Sequence, residues 1–163
     1  MAGAIEQWIH MVGIAGAGMS GIARILAEQG ARVSGSDLNQ NNVTKALEAI
    51  GVTIYKGHVP SNVQEGVDLL VISSAVPEDN VEVQAARNRG IPVIKRGQML
   101  ARLVNDRKTI AVAGAHGKTT TTSMIYTVLN SCGLDYIYCG GRTAKWSNRC
   151  SFGPKPVCGG RSR

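Results

Sequence analysis

A glycine-rich hexapeptide, Gly16-Ala17-Gly18-Met19-Ser20-Gly21, stands between an apolar run, Trp8–Ala15, and a stretch of helix formers ending at Gln29. The apolar run reads as a buried strand. In the following stretch Ile22, Ala23, Ile25 and Leu26 recur at helical spacing until Gly30 stops the helix. G-x-G-x-x-G in that setting predicts strand, tight loop and helix. Gly16 would permit the turn, Gly18 would let the backbone approach a diphosphate, and Gly21 would let helix and strand pack closely. Free N–H groups at the helix start would face phosphate oxygens. Arg32–Ser36 reads as a second strand, and Asp37 follows Gly16 by 21 residues. An acid there can take a ribose hydroxyl. Glycine packing without a ligand is the alternative.

The alternation continues along the chain. Val43–Ile50, Val81–Arg89 and Gln98–Val104 read as helices, and Val52–Tyr55, Val67–Ser73 and Pro92–Ile94 as strands. Strands alternating with helices of about ten residues imply βαβ units and a parallel sheet. A boundary is expected near Asn105–Arg107. Beyond it Lys108–Ala113 reads as a new strand and Thr119–Leu129 as a helix.

Between those two lies a second loop, Gly114-Ala115-His116-Gly117-Lys118-Thr119-Thr120. It is a shortened G-x-x-G-K-T-T pattern rather than a full Walker A motif, with Val112 where that motif needs glycine. Its backbone N–H groups can cradle phosphate oxygens. Lys118 would neutralise β- and γ-phosphates, and Thr119 or Thr120 would offer a hydroxyl to Mg²⁺. An ordinary glycine turn with an exposed lysine is the alternative. A dehydrogenase needs only the first loop, and a simple NTPase only the second. Both together suggest a nucleotide-bearing substrate held while ATP activates it. The fold expected is therefore α/β: a Rossmann-like parallel-sheet domain followed by the start of a P-loop ATP-binding domain.

These motifs, with His10-Met11-Val12-Gly13-Ile14, Val33-Ser34-Gly35-Ser36-Asp37, Gly57-His58, Ser73-Ser74-Ala75-Val76-Pro77 and Ile94-Lys95-Arg96, resemble the Mur ligase family from about Trp8 to Asp135. The alanine-adding branch is the nearest in pattern, and Met19-Ser20-Gly21 favours it over the peptide-adding branch. Ala115, where the family more often has Thr, is a small departure at a position whose backbone matters more than its side chain. The resemblance implies a UDP-sugar-binding domain over residues 1–105 and the beginning of the central ATP-binding domain over 106–135. It also implies a reaction in which ATP phosphorylates the lactyl carboxylate of UDP-N-acetylmuramate and the amine of L-alanine attacks the acyl phosphate, with Mg²⁺ as cofactor. Lys118 is then the catalytic candidate. Gly16, Ala17, Gly18, Met19, Ser20, Gly21, Asp37, His58, Ser73 and Ser74 become candidates for the UDP-sugar, and Gly114 through Thr120 for ATP.

Each has a plainer reading. His58 can be a solvated loop histidine, and Ser73 and Ser74 can simply cap a strand end. His116 can support loop packing, and Lys95 and Arg96 can be ordinary helix-start charges. A NAD-binding module of an oxidoreductase or a redox-sensing domain also fits Gly16–Gly21 with Asp37, but leaves Gly114–Thr120 unexplained.

Net charge is +7, which suggests nucleic acid until it is located. Six of the 18 Lys and Arg, and no acid, lie in residues 136–163, leaving twelve basic against 11 acidic residues before them. The tail also holds Cys139, Cys150 and Cys158, but no histidine and no C-x-x-C spacing, which argues against zinc. The abrupt change reads as a frameshift near Asp135. Read one base later, codons permitted for residues 136–163 allow a string resembling the family's acidic continuation, with glycine forced across Trp146 and Ser147. A nucleic-acid-binding arm and a metal tail are the rival readings. No nucleic-acid or membrane partner is expected. Met1–Gln7 lacks a basic leader and no apolar run reaches a membrane span, so a cytoplasmic location is expected. The family's later Mg²⁺-binding glutamate, adenine-binding segment and third domain have no counterpart, so no turnover by this chain alone is expected.

Overall fold

The computed structural model describes residues 7–105 and 108–132. Five strands, β1 (Trp8–Val12), β2 (Arg32–Asp37), β3 (Thr53–Lys56), β4 (Leu69–Ile72) and β5 (Val93–Lys95), form one sheet in the order β3-β2-β1-β4-β5. All four pairings are parallel. The expected Rossmann-like α/β architecture is present. The chain winds outward from β1 through β2 to β3, then crosses to β4 and β5 on the other side. Strand order reverses between β1 and β4, and open α/β sheets bind ligands at the carboxyl ends of the strands at such a point.

Side-chain alternation along each strand divides the core. Ile9, Met11, Val33, Leu69, Val71 and Ile94 face α1 (Ala17–Glu28), α2 (Asn42–Glu48) and α4 (Arg96–Val104). On the other face Val12, Leu70 and Ile72 pack with Val83 and Ala86 of α3 (Val81–Asn88) and with Val63, which follows a 3-10 turn at Pro60–Asn62. The sequence reading had no element at that turn. Elsewhere helices and strands of this sheet fall within a few residues of expectation.

One expected strand is absent. Lys108–Ala113 forms no regular secondary structure and pairs with no strand among the described residues. Apolar alternation supplies a face, but a strand also needs a partner for its backbone groups. The following helix, α5 (Lys118–Ser131), has the expected place and no buried residue. The tail readings for 136–163 lie outside the described residues.

Candidate functional site

The first loop opens at the strand-order reversal. Gly13, at φ +78°, makes the turn out of β1, and a Cβ there would stand 3.1 Å from the Ser73 Cβ at the end of β4. The turn thus belongs to Gly13, and not to Gly16, whose φ of −61° and ψ of 139° suit any residue. Gly13 and Ile14 donate their N–H groups to the Ser36 carbonyl, at 2.8 and 3.1 Å. Asp37 Oδ2 accepts the Ala15 N–H at 2.9 Å, and Oδ1 accepts Asn39 N–H at 3.0 Å. The end of β2 therefore braces the loop, a structural duty beside the ribose role expected of Asp37.

At the start of α1, Met19 and Ser20 give their N–H groups to the Gly16 carbonyl, leaving those of Ala17 and Gly18 unpartnered among the described residues. Met19 is 1% exposed and its side chain belongs to the core, which leaves only its backbone at the loop. A Cβ on Gly21 would meet nothing within 4 Å, so the close packing expected there is not realised. Above Gly18 lies Arg96, the first residue of α4, and a Cβ on Gly18 would fall 2.7 Å from Arg96 Nη1. Arg96 reads from sequence as a helix-start charge, but it is part-buried over the first loop with no ion pair among the described residues. Ser73 Oγ accepts the Ala75 N–H at 3.4 Å, and Ser74 is exposed.

His58 leads to a buried cluster that sequence reasoning missed. Its Nδ1 lies 3.0 Å from Ser36 Oγ and 3.4 Å from Glu82 Oε1. Glu82, in the first turn of α3, is fully buried. Its Oε2 accepts from Ser36 Oγ at 2.6 Å and lies 3.2 Å from His10 Nε2. Its Oε1 accepts from Asn62 Nδ2 at 2.7 Å and from Val59 N–H at 3.2 Å. His10 Nδ1 lies 2.8 Å from Ser34 Oγ, which also accepts from Trp8 Nε1 at 2.9 Å. No buried side-chain polar atom among the described residues lacks a partner. Burial pushes the Glu82 carboxyl up, but the donors from His10, Ser36 and Asn62 outweigh it, with further help from attraction to His10, so its pKa lies below the ordinary value. Two histidines from distant sequence positions converging on one acid was the only signal, and it needs the fold to be seen.

The second loop is a separate structure. Gly117, at φ +75°, turns the chain into α5, and Thr121 N–H bonds back to its carbonyl at 2.9 Å. The Lys118 ammonium donates to the carbonyls of Gly114 and Ala115. Ala115, His116, Thr119 and Thr120 are exposed. Glycine turn, helix start and lysine suit a phosphate group. For Mg²⁺ the fit is partial: Thr119 and Thr120 offer hydroxyls, but residues 108–132 contain no Asp or Glu. Mg²⁺ sites on nucleotides use carboxylates beside phosphates and water.

Sheet order, the loop at its reversal and the helix-starting lysine loop define a doubly wound α/β protein with two anion-suited loops. The chain belongs to the Mur ligase family: residues 8–108 match the family's catalytic domain. It is 68% identical over 129 residues to a UDP-N-acetylmuramate–L-alanine ligase of Syntrophomonas wolfei, covering 79% of this chain and 28% of that protein. The enzyme of the same name from Geotalea daltonii is 55% identical over 143 residues, covering 87% and 31%. Among solved structures, the Thermotoga maritima UDP-N-acetylmuramate-alanine ligase superposes with a TM-score of 0.70 at 35% identity, over 75% of this chain and 29% of the other. A murein peptide ligase from Psychrobacter arcticus gives 0.73 at 35% identity, over 78% and 27%. The chain spans about three-tenths of the length of these curated relatives. No helix among the described residues is long and apolar enough to cross a membrane.

Proposed function

We propose that residues 1–105 form the UDP-sugar-binding domain, and residues 106–135 the opening of the ATP-binding domain, of a UDP-N-acetylmuramate–L-alanine ligase of peptidoglycan synthesis. The observation that carries this is the pair of unpartnered N–H groups, Ala17 and Gly18, beneath Arg96 at the strand-order reversal. That arrangement suits a diphosphate. Asp37, His58 and Ser74 lie at the same strand ends, where ribose and sugar hydroxyls would be met. The reaction joins UDP-N-acetylmuramate and L-alanine, with ATP converted to ADP and phosphate. A carboxylate is a poor acyl donor because its leaving group is poor. Transfer of the γ-phosphoryl group to the lactyl carboxylate makes an acyl phosphate, and the alanine amine displaces phosphate from it. Lys118 would leave the Gly114 and Ala115 carbonyls and neutralise charge on the transferring group. Bound with ATP, Mg²⁺ supplies further neutralisation of the phosphates. Residues 1–105 take the nucleotide-sugar-binding part of that reaction, which runs in the cytoplasm.

Calorimetric titration with UDP-N-acetylmuramate, NAD and ATP–Mg²⁺ in parallel tests the reading. The UDP-sugar is expected to bind and NAD is not. NAD binding in its place would overturn the reading in favour of an oxidoreductase module. Gly18→Ala refines the test. The added methyl meets the mobile end of Arg96 rather than backbone, so stability should change by less than about 1 kcal/mol. Loss of close approach to a charged phosphate should weaken UDP-sugar binding about tenfold or more. Unchanged affinity would remove the diphosphate from this loop.

A further inference from the structure

Hydrogen positions in the buried cluster follow from counting protons. Ser36 has one hydroxyl proton, and its 2.6 Å contact with Glu82 Oε2 takes it. An ionised carboxylate only accepts, and the donors around Glu82 keep it ionised. Ser36 Oγ can therefore only accept from His58 Nδ1 at 3.0 Å. Glu82 Oε1, 3.4 Å from the same nitrogen, would repel a lone pair there. Both neighbours demand a proton on His58 Nδ1. With His58 neutral, Nε2 then carries the lone pair, and it has no partner among the described residues.

His10 is held in the opposite tautomer. Its Nε2 faces Glu82 Oε2 and must donate. Its Nδ1 can then accept the proton of Ser34 Oγ, whose lone pair is taken by Trp8 Nε1. One carboxylate thus orders two imidazoles in opposite senses. His10 is sealed in the sheet, whereas the His58 side chain is 16% exposed. Only His58 borders the outside, and Ser36, which touches it, also anchors Gly13 and Ile14 of the first loop through its carbonyl.

We propose that Glu82 is a positioning residue of the nucleotide-sugar site, holding His58 as the Nδ1–H tautomer so that Nε2 is presented to a hydroxyl of the bound UDP-sugar. This rests on the UDP-sugar reading above. Glu82 touches no ligand. Its action passes through Ser36 and His58, and it links the first loop to the histidine on a different loop.

The test uses the full chain with ¹⁵N-labelled histidine. Long-range ¹H–¹⁵N correlation spectra assign each tautomer about two pH units above the ordinary histidine pKa. In the wild-type chain His58 is expected as Nδ1–H and His10 as Nε2–H. Finding His58 as Nε2–H, or as an unordered mixture, overturns the proposal without any ligand. In Glu82→Gln the side-chain volume stays but the acceptor pair is lost, and His58 should become a mixture of tautomers. If that variant fails to fold, Ser36→Ala, which removes the nearer acceptor of Nδ1–H, serves in its place. UDP-N-acetylmuramate is then titrated into the wild type and the folded variant. The His58 Nε2 resonance should move in the wild type, and affinity should fall about tenfold in the variant. Binding with an unmoved Nε2, or equal affinity in a variant whose tautomer has changed, overturns the proposal and leaves the UDP-sugar reading intact. An ordered His58 with no UDP-sugar binding overturns that reading, and the proposal with it.

Discussion

Glu82→Ala is expected to destabilise the chain by about 3–5 kcal/mol. The methylene lost is a small part of this. His10 Nε2, Ser36 Oγ, Asn62 Nδ2 and the Val59 N–H all converge on the carboxylate, and all would lose their acceptor at once. Each buried donor left unmet costs about 1–3 kcal/mol, reduced where water enters or another acceptor remains, as Gly57 O does for Asn62. Against a total stability of about 5–15 kcal/mol this is a large fraction. Urea unfolding should show a lower midpoint with an unchanged slope. A loss below about 1 kcal/mol would mean that the cluster is already wet. The same residue sets an acid limit. Its folded pKa lies below the ordinary 4.5, so its contribution is complete above that value and fades as pH falls through the folded pKa. Glu82→Ala should flatten that part of the stability profile.

Gly35→Ala is the second large effect, at about 3 kcal/mol. Gly35 sits mid-strand in β2, in register with Met11 of β1. A methyl there would fall 2.6 Å from the Met11 carbonyl oxygen and 2.5 Å from Ile14 Cδ1. The first is backbone in the sheet centre and cannot swing away, so β1 and β2 must part, and Ile14 must shift as well. Gly97→Ala is the internal control: it meets nothing within 4 Å and lies in α4, where alanine favours the helix. Thermal melts should separate the two variants by more than about 10 °C. Equal melting temperatures would show that the sheet absorbs the methyl.

Much of the fold was legible because its signals are local. The apolar run into β1, the glycines before α1, and the stops at Gly30, Gly51 and Gly90 each report on a few neighbouring residues. Lys108–Ala113 misled for the converse reason: a strand needs a partner, and pattern cannot supply one. The first loop was readable as a motif, but the duties of its glycines were not. Gly13 takes the turn expected of Gly16, and Gly35, an ordinary residue between two serines, proves the tightest. Glu82 was invisible because an acid in a first helical turn reads as an exposed, dipole-favoured charge. Its burial depends on His10 and Ser36, 72 and 46 residues away in the chain.

The place of β1 has a consequence for the order of assembly. It is the first of these five strands to be synthesised, yet it lies at the centre of the sheet, with β2 on one side and β4 on the other. β2 follows closely and can shield one edge while the ribosome is still at work. The other edge, Ile9–Val12, waits for Leu69–Ile72. Throughout that interval a strand apolar but for His10 stands open on one side, the kind of edge that pairs with a neighbouring chain. The nascent sheet is thus exposed to aggregation after its first loop has formed and before β4 arrives.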